Sequence, residues 1–171
     1  MIGASRHIDR RALLLGAAAA CLGGGALAAV PAPRIGRLTK VPRHPYDAGR
    51  DADTDVKAAA ARAKAAGKLL LIDFGANWCA DCLILAGIME MPEAKAFLDR
   101  HYEIVHVEVG RMDRNLHIAA RYGMAGFEGV PAVVVVSPKG KVLNRGDVFV
   151  LANARAMSDQ AVMDKLASWV P

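Results

Sequence analysis

The chain has 171 residues, 54% of them hydrophobic, which is enough for one domain with an apolar core and an appendage but too few for two ordinary domains. Its formal net charge of +5 is a local property: the first fifty residues hold eight of the 22 bases and two of the 17 acids, and the remainder is nearly neutral. A nucleic-acid-binding surface needs clustered Lys or Arg interleaved with stacking aromatics, and with aromatics at only 5% nucleic acid is set aside as a partner.

Residues 1–28 read as an export signal. Arg10-Arg11 precede Ala12-Leu13-Leu14-Leu15, and an Ala- and Gly-rich run ends at Ala26-Leu27-Ala28, a small-x-small pattern suited to a signal peptidase. The paired arginines are similar to a twin-arginine signal, but Asp9 stands where Ser or Thr is commoner, so the Sec route competes. Cleavage and a periplasmic location are the expectation; left uncleaved, residues 12–30 approach the roughly 20 apolar residues of a bilayer span and would act as an anchor. Residues 29–50 hold four prolines and scattered bases with no apolar periodicity, as a linker or an extended arm over the domain surface would. The domain itself is expected over 51–171.

In chain order, residues 53–66 predict a helix, with acids in the first turn, an alanine run and Gly67 placed to end it. Residues 69–74 form a continuous apolar run of strand length, as expected for a central strand covered on both faces. A helix through residues 83–89 stops at Met91-Pro92, where proline starts another helix toward Arg100. Residues 103–109 alternate as a strand, 113–122 predict a helix ending at Gly123, and 132–136 form a dense strand. Ser137-Pro138-Lys139-Gly140 is a turn from which 141–145 can return antiparallel, and Ser158 caps a last helix running to Trp169.

With Cys21 lost alongside the signal, Cys79 and Cys82 remain, in a compartment that permits disulfides. A pair this close in sequence closes too short a loop to stabilise a fold by chain entropy, which points to a chemical purpose. Structural zinc needs about four ligands, and c-type haem needs His directly after the second Cys, where Leu83 stands. No metal or other cofactor is therefore expected. The rival is a copper protein, since two thiolates suit Cu(I) and Met89, Met91 or Met112 could assist.

The segment Leu70-Leu71-Ile72-Asp73-Phe74-Gly75-Ala76-Asn77-Trp78-Cys79-Ala80-Asp81-Cys82 resembles the active-site segment of the thioredoxin superfamily, and Gly129-Val130-Pro131-Ala132 resembles its second signature. The resemblance covers about Asp51 to the C-terminus and is strongest to small periplasmic thioredoxin-like proteins and the C-terminal domain of the bacterial transmembrane thiol reductase. It implies an α/β thioredoxin fold with a central mixed sheet flanked by helices. The implied activity is thiol–disulfide exchange with disulfide-containing or dithiol proteins, and a membrane thiol reductase is a candidate electron donor.

Cys79, at a helix start where free N–H groups and the helix dipole favour a thiolate, is the expected nucleophile, and Cys82 the resolving cysteine. Asp73 matches the family's buried proton-shuttling acid; an edge residue or a helix-facing ion pair is the bland alternative. Trp78 is a lid beside the disulfide or ordinary packing. Pro131 matches the family's cis-proline, leaving the Val130 backbone to pair with a substrate strand; a trans proline opening an edge strand is the bland alternative. Ala80 and Asp81 lie between the cysteines, and the Asp81 charge is expected to disfavour the thiolate and make the pair less oxidising, which favours a reductase or isomerase; Asp81 also suits a first helical turn, and that alone is the bland alternative. His106 lies where relatives often carry a Lys directed at the buried acid, and either tunes Asp73 or is a satisfied strand residue. Two departures from the pattern are a longer loop before Pro131, residues 125–129, and Leu83 in place of a base.

Overall fold

In the computed structural model, which describes residues 30–171, the apolar run becomes strand β1 (Leu69–Gly75), buried along its whole length. Strands β2 (Tyr102–Glu108) and β3 (Ala132–Val136) cover its two edges, giving the order β2-β1-β3. β2 runs parallel to β1 with Asp73 opposite His106, and β3 runs antiparallel with Asp73 opposite Val133. Because side chains alternate along a strand, Leu70, Ile72 and Phe74 enter one apolar cluster and Leu69 and Leu71 another. The export signal expected over 1–28 lies outside the described residues.

Helix α1 (Ala52–Ala66) is capped at its start by Asp51, whose carboxylate accepts the Thr54 N–H, and at its end by Gly67, in the left-handed region at φ 67°. Helix α2 (Ala80–Met89) follows the cysteine turn, and α3 (Pro92–His101) starts with proline in its first turn, where no N–H is missed. Helix α5 (Asp159–Ser168) begins at Ser158, whose hydroxyl accepts the Ala161 N–H. Packed side chains from α2, α3 and α5 share the cluster that holds Leu71, while α1 builds the cluster that holds Ile72.

Two elements depart from the sequence expectation. The helix expected over 113–122 is only α4 (Leu116–Arg121), because Met112 and Asn115 adopt left-handed φ values of 68° and 57°. Local side-chain bonds compete with the helix there: Asp113 accepts the Arg111 N–H at 2.9 Å and Asn115 donates to the Glu108 carbonyl at 2.7 Å. The return strand over 141–145 is reduced to a single bridge between Val142 and Val136. In its place the buried Asn144 side chain accepts the Val135 N–H and donates to the Val133 carbonyl, both at 2.8 Å, doing for β3 what a neighbouring backbone would have done.

The described part of the proline-rich segment, residues 30–50, is an extended arm seated on the domain. Val30, Ala32, Ile35 and Leu38 pack against the α2–α3–α5 cluster. The Ile35 N–H donates to Gln160 at 3.0 Å, the Leu38 N–H to Asp159 at 2.8 Å, and Gln160 donates back to the Pro33 carbonyl at 3.0 Å. Gly87 of α2 makes room for this path, since a Cβ there would stand 3.0 Å from the Leu38 side chain and 3.2 Å from the Lys40 carbonyl. Asp51 caps α1, and the core reaches back beyond it to Tyr46, which is 1% exposed.

Asn144→Ala would leave one buried N–H and one buried carbonyl of β3 unpaired, with an expected loss of about 2 to 4 kcal/mol. Urea unfolding of the full chain and the substituted chain checks this through the shift in midpoint at unchanged slope.

Candidate active site

At the end of β1 the chain turns through Ala76–Cys79, closed by the Cys79 N–H donating to the Ala76 carbonyl at 3.1 Å. Cys79 is the N-cap of α2, with extended backbone and its sulfur accepting the Cys82 N–H at 3.2 Å. That N–H is one of the orphan donors of the first helical turn, so the sulfur occupies the position where a developing thiolate gains most from helix donors and dipole. Cys79 and Cys82 are joined as a disulfide with Cα atoms 5.2 Å apart. Exposure is unequal, 5% at Cys79 and none at Cys82, so an approaching sulfur meets Cys79 first.

The loop before β3 brings the second signature to this sulfur. The Val130–Pro131 peptide bond is cis, and the Val130 carbonyl oxygen lies 3.3 Å from Cys79 Sγ. The longer loop over residues 125–129 is pinned by Phe127, whose ring packs on Phe74 with centroids 5.5 Å apart. Trp78 is 49% exposed; its indole N–H donates to the Gly110 carbonyl at 2.7 Å, and the Arg111 guanidinium lies over the ring at 5.8 Å. Ala80 is exposed on the first turn of α2. Asp81, in contrast, is 6% exposed and faces a partner: it accepts the Arg155 N–H at 2.8 Å, with the Arg155 Nε at 3.6 Å. Its charge is shared with that guanidinium, which weakens the repulsion of the Cys79 thiolate expected from sequence.

Asp73 is wholly buried, and its register opposite His106 puts both side chains on one face of the sheet. The His106 Nδ1 and Asp73 Oδ2 are 2.9 Å apart, and the Tyr46 hydroxyl donates to the same Oδ2 at 2.7 Å. Asp73 Oδ1 is buried with no hydrogen-bond partner among the described residues. Burial works against a charged imidazole at His106, yet the hydrogen bond and charge of Asp73, with Glu90 beyond, outweigh it and raise the His106 pKa.

Sequence reasoning missed Tyr46 and Asn77. The Asn77 side chain clamps the Tyr46 backbone from both ends, accepting its N–H at 3.1 Å and donating to its carbonyl at 2.7 Å. Gly75 gives the ring its space, since a Cβ there would meet the phenol at 2.5 Å. The signals were present as a lone aromatic in the arm and a glycine at the end of an otherwise bulky strand, but neither names its partner without the fold. Of the methionines that could assist copper, Met89 and Met91 pack into the α2–α3–α5 cluster while Cys79 and Cys82 belong to the other, and Met112 is 40% exposed.

A disulfide at a helix N-terminus, a cis-proline loop against its outer sulfur and a buried carboxylate in the adjacent strand together define a thioredoxin-fold thiol–disulfide oxidoreductase. The Thioredoxin-like family model matches residues 51–138, and the chain belongs to that family. A solved structure of a disulphide isomerase from Xylella fastidiosa Temecula1 is 45% identical, covering 72% of this chain and 94% of that one, with a TM-score of 0.68. The oxidised C-terminal domain of DsbD from Neisseria meningitidis is 24% identical over 54% of this chain and 78% of that one, with a TM-score of 0.42. No curated protein matches the chain. Among the described residues no helix is long and apolar enough to cross a membrane.

The raised His106 pKa sets a pH dependence of stability. A group whose pKa rises on folding contributes fully below its unfolded value, near 6.5, and the contribution is lost as pH climbs through the folded value. His106→Gln should therefore lose most stability relative to the natural chain at acidic pH, with the gap narrowing toward alkaline pH, as read by urea midpoints across the range.

Proposed function

We propose that this chain reduces or isomerises disulfides of exported proteins in the periplasm, receiving electrons from a membrane thiol reductase. The observation that carries the reading is the unequal cysteine pair at the start of α2, with Cys79 facing the Val130–Pro131 loop and Cys82 buried behind it. In the reduced chain the Cys79 thiolate attacks a substrate disulfide and forms a mixed disulfide while the substrate's other sulfur leaves. Cys82 then attacks Cys79 and releases the reduced substrate, or a second substrate thiol resolves the adduct and leaves the pair reduced, which is isomerisation. The redox equivalents reside in the two cysteines, so no bound cofactor or metal is required. Trp78, Val130 and Pro131 form the contact surface for the incoming chain, with the Val130 backbone free to pair with an extended substrate segment. The likeness to a protein described as a disulphide isomerase supports the same direction.

Cys79→Ser should abolish turnover of a scrambled-disulfide protein, whereas Cys82→Ser should keep the first attack and accumulate a covalent adduct visible on non-reducing gels. Equilibration with dithiothreitol or glutathione buffers should place the pair near about −270 mV; a value near about −120 mV would make the protein an oxidant and overturn the proposed direction.

A further inference from the structure

Tyr46 lies outside the segment matched by the family model, yet it is the most deeply enclosed side chain of the arm and the nearest hydroxyl to the buried acid. Three observations make its position specific. Its hydroxyl lies between the Asp73 carboxylate, at 2.7 Å, and the Cys82 carbonyl oxygen, at 3.5 Å. Its backbone is held at two points by Asn77, within the turn that delivers Trp78 and Cys79. Its ring stands edge-on to His106, with centroids 5.5 Å apart and planes at 85°, over the gap left by Gly75.

Asp73 Oδ2 thus takes two donors, from Tyr46 and His106, while Oδ1 takes none among the described residues. We propose that Tyr46 is a positioning residue of the exchange reaction: it holds Oδ2 so that Oδ1 alone stays open to take the proton of Cys82. The inference rests on the exchange reading above and makes the arm a part of the active site. In the step concerned the Cys82 thiol gives its proton to Asp73, the sulfur attacks Cys79 Sγ, and the bond between Cys79 and the substrate sulfur breaks. The electron pair leaves with the substrate thiolate, which takes a proton from solvent, and Asp73 returns its own proton to solvent past His106. Over the cycle the two cysteine thiols become a disulfide and the substrate disulfide becomes two thiols.

Tyr46 suits the part because it stays a donor: burial, then the Asp73 charge and hydrogen bond, raise its pKa well above the ordinary phenol value of 10. Asp73 faces Tyr46 and His106, and His106 faces Glu90 as well. The other charges around the His106 recess balance, four bases against four acids, with Arg62 and Lys68 beside Glu103, Lys95 with Asp99, Arg50 with Asp55, and Asp47 on the same wall, so they add little net field.

The test is the pH profile of single-turnover reduction of oxidised glutathione by the reduced full chain. Tyr46→Phe keeps the ring and deletes one hydrogen bond to a charged acceptor, so the pH at which the resolving step switches on should rise by about one unit. The pH dependence of Cys79 alkylation by iodoacetamide should stay unchanged. In an Asp73→Asn background the same substitution should produce no further shift. Gly75→Ala, whose Cβ would press on the phenol, offers a second route to displacing the hydroxyl and should shift the profile the same way. A Tyr46→Phe profile that superimposes on the natural one, or a shift that persists without the Asp73 carboxylate, would overturn the inference while leaving the exchange activity established. Absence of glutathione reduction by the natural chain would instead sink the reading on which it rests.

Discussion

A carboxylate in the middle strand of a three-stranded sheet, closed to water, has to be given donors or it destabilises the fold around it. Asp73 is in that position, and the two donors come from opposite ends of the sequence logic. His106 arrives through strand register, as the residue directly across the parallel β1–β2 pairing. Tyr46 arrives from outside the sheet altogether, on an arm that must cross α2 and α5 to reach it. Gly75, Gly87 and Asn77 each make sense through this one requirement, two by leaving space and one by holding the backbone that carries the phenol.

The cysteine pair is placed by a different constraint, the unfilled donors of a helix start. Cys79 takes the cap position that Ser or Asp commonly takes elsewhere, so the nucleophile and the cap are the same atom. Asp81 then fits the first turn of α2 but spends its carboxylate on Arg155, tying the helix start to the segment before α5. The arrangement ties down the first turn of the helix that carries Cys79, next to the turn that presents Trp78.

Much of this was legible in advance. The central strand, the cysteine helix, the proline-started α3 and the Ser158-capped α5 follow from apolar periodicity and end signals that act within a few residues. Cys79 and Cys82 at a helix start follow from the strand–turn–helix pattern, whereas Asp73 and Pro131 were singled out by the resemblance to the thioredoxin superfamily. What escaped were features decided by distant partners. Asp113 and Asn115 look helix-compatible in sequence, and only the Glu108 carbonyl shows why Asn115 turns away. Residues 141–145 carry strand character, yet one amide side chain displaces their ladder. The partner of Tyr46 lies 27 positions away, and that of Asp81 lies 74 away, distances at which no local pattern carries information.

The substitution of Asn144 for a fourth strand also governs which other polypeptides can join the sheet. β3 is an edge strand, and an edge with free N–H and carbonyl groups is a template for adventitious pairing and for aggregation. Here the outward groups of Val133 and Val135 are already taken by Val148, Asn144 and Leu143. The sheet is therefore sealed along that side by an amide and two backbone groups rather than by a full strand, and a chain seeking to add itself there finds nothing to bind.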